Sequence, residues 1–170
     1  MFMIRYWWIA AAVAVAAIIV AVAVLWPSRP PAVSADPPTA QRSFANWRAC
    51  LVTGPGGLAD SAVGPAWSGL KDASAKTGVQ VTYLAATDDS TAGSAASYVA
   101  SLAGANCGIV LAVGAPQTAG VALVATEFPK QRFIDIGSGT KASNITVLSE
   151  MSSAQVRATV AADVESAYGE

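Results

Sequence analysis

No histidine occurs anywhere in the 170 residues. That absence removes Ser-His-Asp and Cys-His catalysis and every histidine-ligated metal site at once. Cysteine is nearly as scarce: Cys50 and Cys107 are too few to build a cysteine zinc site. Charge is sparse and balanced, with 10 basic against 11 acidic side chains and only 12% of residues charged. No basic field is available for a nucleic acid, so none is expected as a partner. No paired acid and base, nucleophile with a partner, or metal cluster stands out, so neither an enzyme nor a metal or other cofactor is expected.

What the chain has in excess is apolar residues, 54% of the total, and part of that excess lies in one run. Tyr6–Trp26 is uncharged for 21 residues and holds nine Val, Ile or Leu residues. At about −0.3 to −0.6 kcal/mol each, these favour insertion by roughly 3 to 5 kcal/mol. The length suits a helix that crosses a bilayer, with Trp7, Trp8 and Trp26 near its two ends. The expectation is a short tail (1–5), a signal-anchor helix (6–26) in the plasma membrane, a Pro/Ala-rich stalk (27–43) and one globular domain (44–170) outside the cytoplasm. The alternative is cleavage near Ala35, after the small residues Val33-Ser34-Ala35, and release of the domain.

The globular part reads as alternating strand and helix. Ala49–Thr53 is a short apolar strand, followed by the glycine-rich loop Gly54–Gly64 and a helix opened by Pro65 and stopped by Gly78. Val79–Leu84 is the second strand, Ser90–Ala103 an alanine-rich helix, and Gly108–Val113 a continuous apolar strand of the kind buried on both faces. Pro116–Glu127 is the next helix, Arg132–Ile136 and Ile145–Leu148 two further strands, and Ser152–Tyr168 a closing helix whose Ser152 and Gln155 form a capping box. The order predicts an α/β domain: a doubly wound, mostly parallel five-stranded sheet in the order 2-1-3-4-5 with helices on both faces. Ligands of such sheets bind at the carboxyl ends of the strands, which here means Gly54–Gly64, Ala85–Asp89, Ala115–Thr118 and Gly137–Ser143.

Gly54-Pro55-Gly56-Gly57-Leu58-Ala59 fits the letters of the dinucleotide fingerprint G-x-G-x-x-A. Its helix, however, waits for Pro65, and the reading preferred is a surface turn. Asp60 is either a ligand contact or a solvated acid near the helix start. Asp88 and Asp89 follow the second strand, where they are expected to cap the next helix. Trp67 is expected to face the sheet. Asn144-Ile145-Thr146 is a glycosylation sequon expected to begin the fifth strand unmodified. Cys50 and Cys107 begin neighbouring strands and are candidates for a disulfide in an oxidising compartment. Counting from the strand ends puts them about three residues, roughly 10 Å, out of register. A bond and two buried thiols both remain open.

Several stretches resemble the basic membrane protein (BMP) family, the substrate-binding proteins of ABC importers, several of which bind nucleosides. They are Leu51-Val52-Thr53, Gly56-Gly57-Leu58, Ala66-Trp67-x-Gly69-Leu70, Thr77-Gly78-Val79-x-Val81-x-Tyr83-Leu84, Cys107-Gly108-Ile109-Val110, Val113-Gly114, Phe128-Pro129-x-Gln131-x-Phe133 and Asn144-Ile145-Thr146. They run in the family's order over residues 48–150. The resemblance implies the N-terminal lobe of a periplasmic-binding-protein fold and a ligand site for which Gly54, Gly56, Gly57, Asp60, Asp88, Ala115 and Gln117 are the candidates.

The family's pattern is eroded here. Gly54 stands where an aspartate usually follows the first strand, Ala62-Val63-Gly64-Pro65 replaces a Ser-Phe-Asn-Gln stretch, and Ala115 replaces an aromatic residue. Weak or altered binding of a nucleoside-like ligand is therefore expected, with a second lobe, a homodimer or ABC-transporter subunits as partners. A structural or protein-interaction module of the cell envelope is the alternative. No cysteine precedes Cys50, so the membrane helix takes the place of the family's usual lipid anchor.

Overall fold

A computed structural model of the protein describes residues 46–87 and 91–170. The expected Tyr6–Trp26 span, the stalk, the Val33-Ser34-Ala35 site, and Asp88 and Asp89 lie outside the described residues. Among those described, no helix is long and apolar enough to cross a membrane.

Five parallel strands, β1 (Arg48–Thr53), β2 (Gln80–Ala85), β3 (Cys107–Val113), β4 (Arg132–Ile136) and β5 (Ile145–Leu148), form one sheet in the order 2-1-3-4-5. Four α-helices join or follow them: α1 (Val63–Thr77), α2 (Ala92–Gly104), α3 (Ala115–Val124) and α4 (Ser153–Gly169). Period-2 alternation divides the strands between two cores. Leu51, Ile109, Leu111, Ile134 and Ile136 pack with α1 and α4 through Leu70, Val156 and Val160. Cys50, Val52, Val110 and Phe133 pack on the opposite face with α2 and α3 through Val99, Val121 and Val124. Both layers are apolar, which is why β1 and β3 read as unbroken hydrophobic runs.

Helix α1 starts two residues earlier than Pro65. Its first turn is Val63-Gly64-Pro65, after the N-cap Ala62. The first four amides of a helix have no intrahelical acceptor, so proline is accommodated at the third position as well as the first. Gly78 ends the helix in the left-handed region, at φ 76°. Trp67 is half-buried against the sheet and meets Tyr83 edge to face, with centroids 5.7 Å apart. β2 is only partly covered, its residues half-buried and Tyr83 45% exposed. Being an edge strand, it has only one neighbour to share helices with.

Thr91, not Asp88 or Asp89, is the N-cap of α2, its hydroxyl accepting from the Ser94 amide at 3.1 Å. At α4 the capping box is complete: the Ser152 amide donates to Gln155 Oε1 at 2.9 Å, and the Gln155 amide to Ser152 Oγ at 3.3 Å. Arg157 of α4 donates twice to the Asp72 carboxylate of α1, at 2.6 and 2.9 Å, and that contact holds the Asp72 carboxyl below the usual range.

The joint between β1 and β3 departs from simple counting. Arg48 pairs with Cys107 but Ala49 with Ile109, so Gly108 is an extra residue on β3. The bulge changes which face Cys107 occupies, turning it towards the side that carries Cys50. Glycine is required at position 108 because the Trp47 indole fills the space where a Cβ would stand. The structure joins Cys50 and Cys107 in a disulfide, their Cα atoms 5.9 Å apart. The three-residue offset is present, Cys50 pairing with Val110, but the bulge brings the two Cα atoms closer than the roughly 10 Å that straight strands would give.

Asn144 lies one residue before β5, and its side chain ties three segments together. Nδ2 donates towards the carbonyl oxygens of Ala125, Phe128 and Gln131, at 3.1, 3.1 and 3.2 Å. The nitrogen a glycan would use is thus already engaged. Removing that hub in Asn144→Ala should cost about 2 kcal/mol in urea unfolding, because it leaves several carbonyls without a donor. Asn144→Asp should cost more, since it sets an anion against the same carbonyl oxygens. An Asp variant as stable as the Ala variant would contradict this account.

Candidate functional site

The chain turns to opposite faces after β1 and β3. From β1 it enters α1, which packs on one side of the sheet, and from β3 it enters α3, which packs on the other. The two loops diverge at the carboxyl edge and leave a crevice between neighbouring strands, the switch point of an open α/β sheet. Gly54, Gly56, Gly57 and Asp60 lie in the loop after β1, and Ala115 and Gln117 in the first turn of α3. The sheet order therefore brings six of the seven candidates to one edge. Asp88, the seventh, lies outside the described residues.

Their environments differ sharply. The loop after β1 bonds in part to itself: the Gly57 amide donates to Gly54 O at 3.0 Å, Ala59 to Gly56 O at 3.1 Å, and Val63 to Asp60 O at 3.0 Å. This short 3-10 turn (Gly57–Ala59) does not present a row of free amides, as a pyrophosphate cradle would. Gly57 is buried at φ +55°, a conformation glycine adopts at no cost, and so serves the turn. Asp60 is exposed, and its Oδ1 accepts from the Ala62 amide at 2.9 Å. It shapes the entrance to α1 and leaves its second oxygen outward. Ala115 is exposed and offers only a methyl group.

Gln117 is 1% exposed and its Nε2 has no hydrogen-bond partner, while Oε1 lies where a side chain at Gly114 would stand. It shares a helix face with Val121 and Val124, so it points inward at the α3 layer rather than out of the crevice. On that same side of the sheet lies a residue the sequence reading passed over. Asp135 alternates with Phe133 and pairs with Ala112 in register, which puts it on the α2–α3 face one residue from the end of β4. It is completely buried, and neither carboxylate oxygen has a hydrogen-bond partner. Burial pushes its carboxyl up to about 7.

The hollows at the two edges of the sheet are modest. A cleft of about 190 Å³ opens at the carboxyl edge between Ser61, Ala62, Gly137, Glu150 and Met151. A larger one, about 300 Å³, lies at the opposite, amino edge around Arg132, Asn144 and Asp163. There desolvation raises the Asp163 carboxyl and Arg132 partly offsets it. Small-molecule sites usually occupy about 300–1,000 Å³. The carboxyl-edge cleft falls below that range. Among the described residues no cluster of three or more acids or cysteines could hold a metal.

No protein-family model matches the chain, and no curated protein matches it by sequence. Solved structures do. A "putative lipoprotein" fragment from Peptoclostridium difficile 630 superimposes with a TM-score of 0.53 at 22% identity, over 72% of this chain and 91% of that one. An ABC-transporter solute-binding protein from Aeropyrum pernix K1 superimposes with a TM-score of 0.50 at 17% identity, over 59% of this chain. The match spans only 28% of that protein. The likeness is one of fold: this chain shares the α/β architecture of these two structures over the matched part.

Proposed function

We propose that the protein is an extracytoplasmic binding domain, tethered to the plasma membrane through Tyr6–Trp26 and resembling one lobe of a BMP-family substrate-binding protein. The observation that carries this reading is the switch point between β1 and β3, where the sheet order brings Gly54, Gly56, Asp60 and Ala115 to one edge. In this proposal a small, nucleoside-like ligand lies against Gly54, Gly56 and the outward oxygen of Asp60, and against the first turn of α3 at Ala115. A second lobe, a second copy or an ABC-transporter subunit supplies the opposite wall. Binding to a single lobe is correspondingly weak, since half of the ligand stays in water.

The second reading is a protein-interaction module of the cell envelope with no small-molecule ligand. It is favoured by the internal bonds of the Gly57, Ala59 and Asp60 amides, which leave these three nothing to offer a ligand. Melting curves of the full-length chain with nucleosides, sugars and amino acids separate the two, because a ligand that binds only the folded state must raise its apparent stability. At one hundred times its Kd, a ligand adds about 2.7 kcal/mol. A shift with one ligand class at millimolar concentration supports the receptor reading. No shift from any class at that concentration supports the interaction module.

A further inference from the structure

A segment packed directly on a buried carboxyl group is an uncommon arrangement, and Asp135 has one. The chain leaves β4 through Gly137 at φ +101° and folds back so that a Cβ at Gly139 would collide with Asp135 Oδ2. Only a glycine lets the backbone lie so close. Both oxygens are shut off from water and have no donor.

Among the described residues, the elements packed around Asp135 bring no counter-charge. Among its strand neighbours, β5 has no ionisable residue and β3 has only Cys107, which is in the disulfide. Helix α3 has none. Helix α2 has Tyr98, whose hydroxyl bonds to Thr87 at 2.7 Å. On β4 itself Arg132 is exposed at the far end and pairs with Glu170 at 2.9 Å. The covering loop has Lys141, which is exposed, and the same edge carries the exposed acids Asp60 and Glu150. Asp88 and Asp89 lie outside the described residues. A neutral acid fits this enclosure, whereas a carboxylate lacks both a cation and hydrogen bonds.

We propose that Gly137–Ser143 is a proton-gated lid, shut on the end of β4 while the Asp135 carboxyl is neutral and lifted when that carboxyl ionises. On opening, the proton passes to water and water reaches both oxygens. Burial pushes the closed-state carboxyl up to about 7, so the lid responds to pH near neutrality. The gating does not depend on a ligand and stands apart from the binding proposal.

Hydrogen exchange followed by mass spectrometry on the full-length chain tests it, with rates corrected for the intrinsic effect of pH. The Gly137 amide, bonded to Leu148 O at 2.9 Å, is a reporter at the hinge. Between pH 6 and pH 8 the opening equilibrium of peptides spanning 136–145 should rise about tenfold, from the difference between an exposed and a buried carboxyl. In Asp135→Asn, neutral at both pH values, it should not rise. A tenfold rise in that variant would overturn the proposal, as would lid amides that exchange only together with those of β3, since the opening would then be global. Should Asp135→Asn fail to fold, the 13C resonance of the wild-type Asp135 carboxyl serves instead. Its midpoint must coincide with that of lid exchange, and a midpoint near 4 would refute the lid.

Discussion

Raising the pH from 5 to 8 is expected to destabilise the folded domain by about 2 to 3 kcal/mol, and Asp135→Asn is expected to abolish most of that loss. The sign follows from the direction of the shift. Burial raises the Asp135 carboxyl from 3.8 to about 7 in the folded chain. The stabilisation is complete below the unfolded value, declines as the pH climbs between the two, and is gone above the folded one. The slope approaches 1.4 kcal/mol per pH unit through the middle of the window. The window is unusually quiet here because the chain has no histidine, the side chain that ordinarily titrates between pH 5 and 8. Asp163, also raised by desolvation, adds a smaller contribution of the same sign. In melting temperature the loss amounts to roughly 10 °C for a domain of this size. Urea unfolding of wild type and variant at pH 5, 6, 7 and 8 checks it. Parallel pH profiles for the two would show that Asp135 is solvated and ordinary.

The pattern of apolar runs was enough to read the architecture, including the strand order and the limits of β4 and β5, because both faces of the sheet are covered and both leave a hydrophobic record. The capping box at Ser152 and Gln155 was legible for a different reason: it is local, complete within four residues, and owes nothing to tertiary structure. Asp135 was not legible. A single acid within Arg-Phe-Ile-Asp-Ile looks like the polar half of an alternating strand, and only the position of α3 shows that this face is closed. The pairing geometry of the cysteines was hidden by Gly108, since a bulge depends on how Trp47 packs and not on any local run of residue types. Among the candidate site residues, sequence order and topology placed Gly54, Gly56, Asp60 and Ala115 at the expected edge. They could not tell that Gly57 and Gln117 point inward. That difference is made by a left-handed turn and by one helical face, neither of which a position along the chain reveals.

The same bulge underlies the other large effect. Breaking the bond between Cys50 and Cys107 should lower stability by about 4 kcal/mol, because a link across 57 residues withholds that much conformational entropy from the unfolded chain. Both cysteines are buried, at 0% and 4% exposure, so reductant alone should act slowly on the folded protein and quickly once urea opens it. Cys50→Ala/Cys107→Ala removes the link without relying on access. Its urea midpoint should lie at or somewhat below that of the fully reduced wild type, since the double variant also loses two buried sulfur atoms. Intact mass distinguishes the states independently, by the two hydrogens gained on reduction. An oxidised and a reduced chain with equal midpoints would mean that the β1–β3 joint is held by its ladder and by Trp47 alone. A loss well beyond 4 kcal/mol would mean that the bulge itself relaxes once the link is gone. In that case Gly108→Ala, which drives a methyl group into the indole, should reproduce part of the loss with the disulfide intact, and the two changes together should be less than additive because they act on one joint.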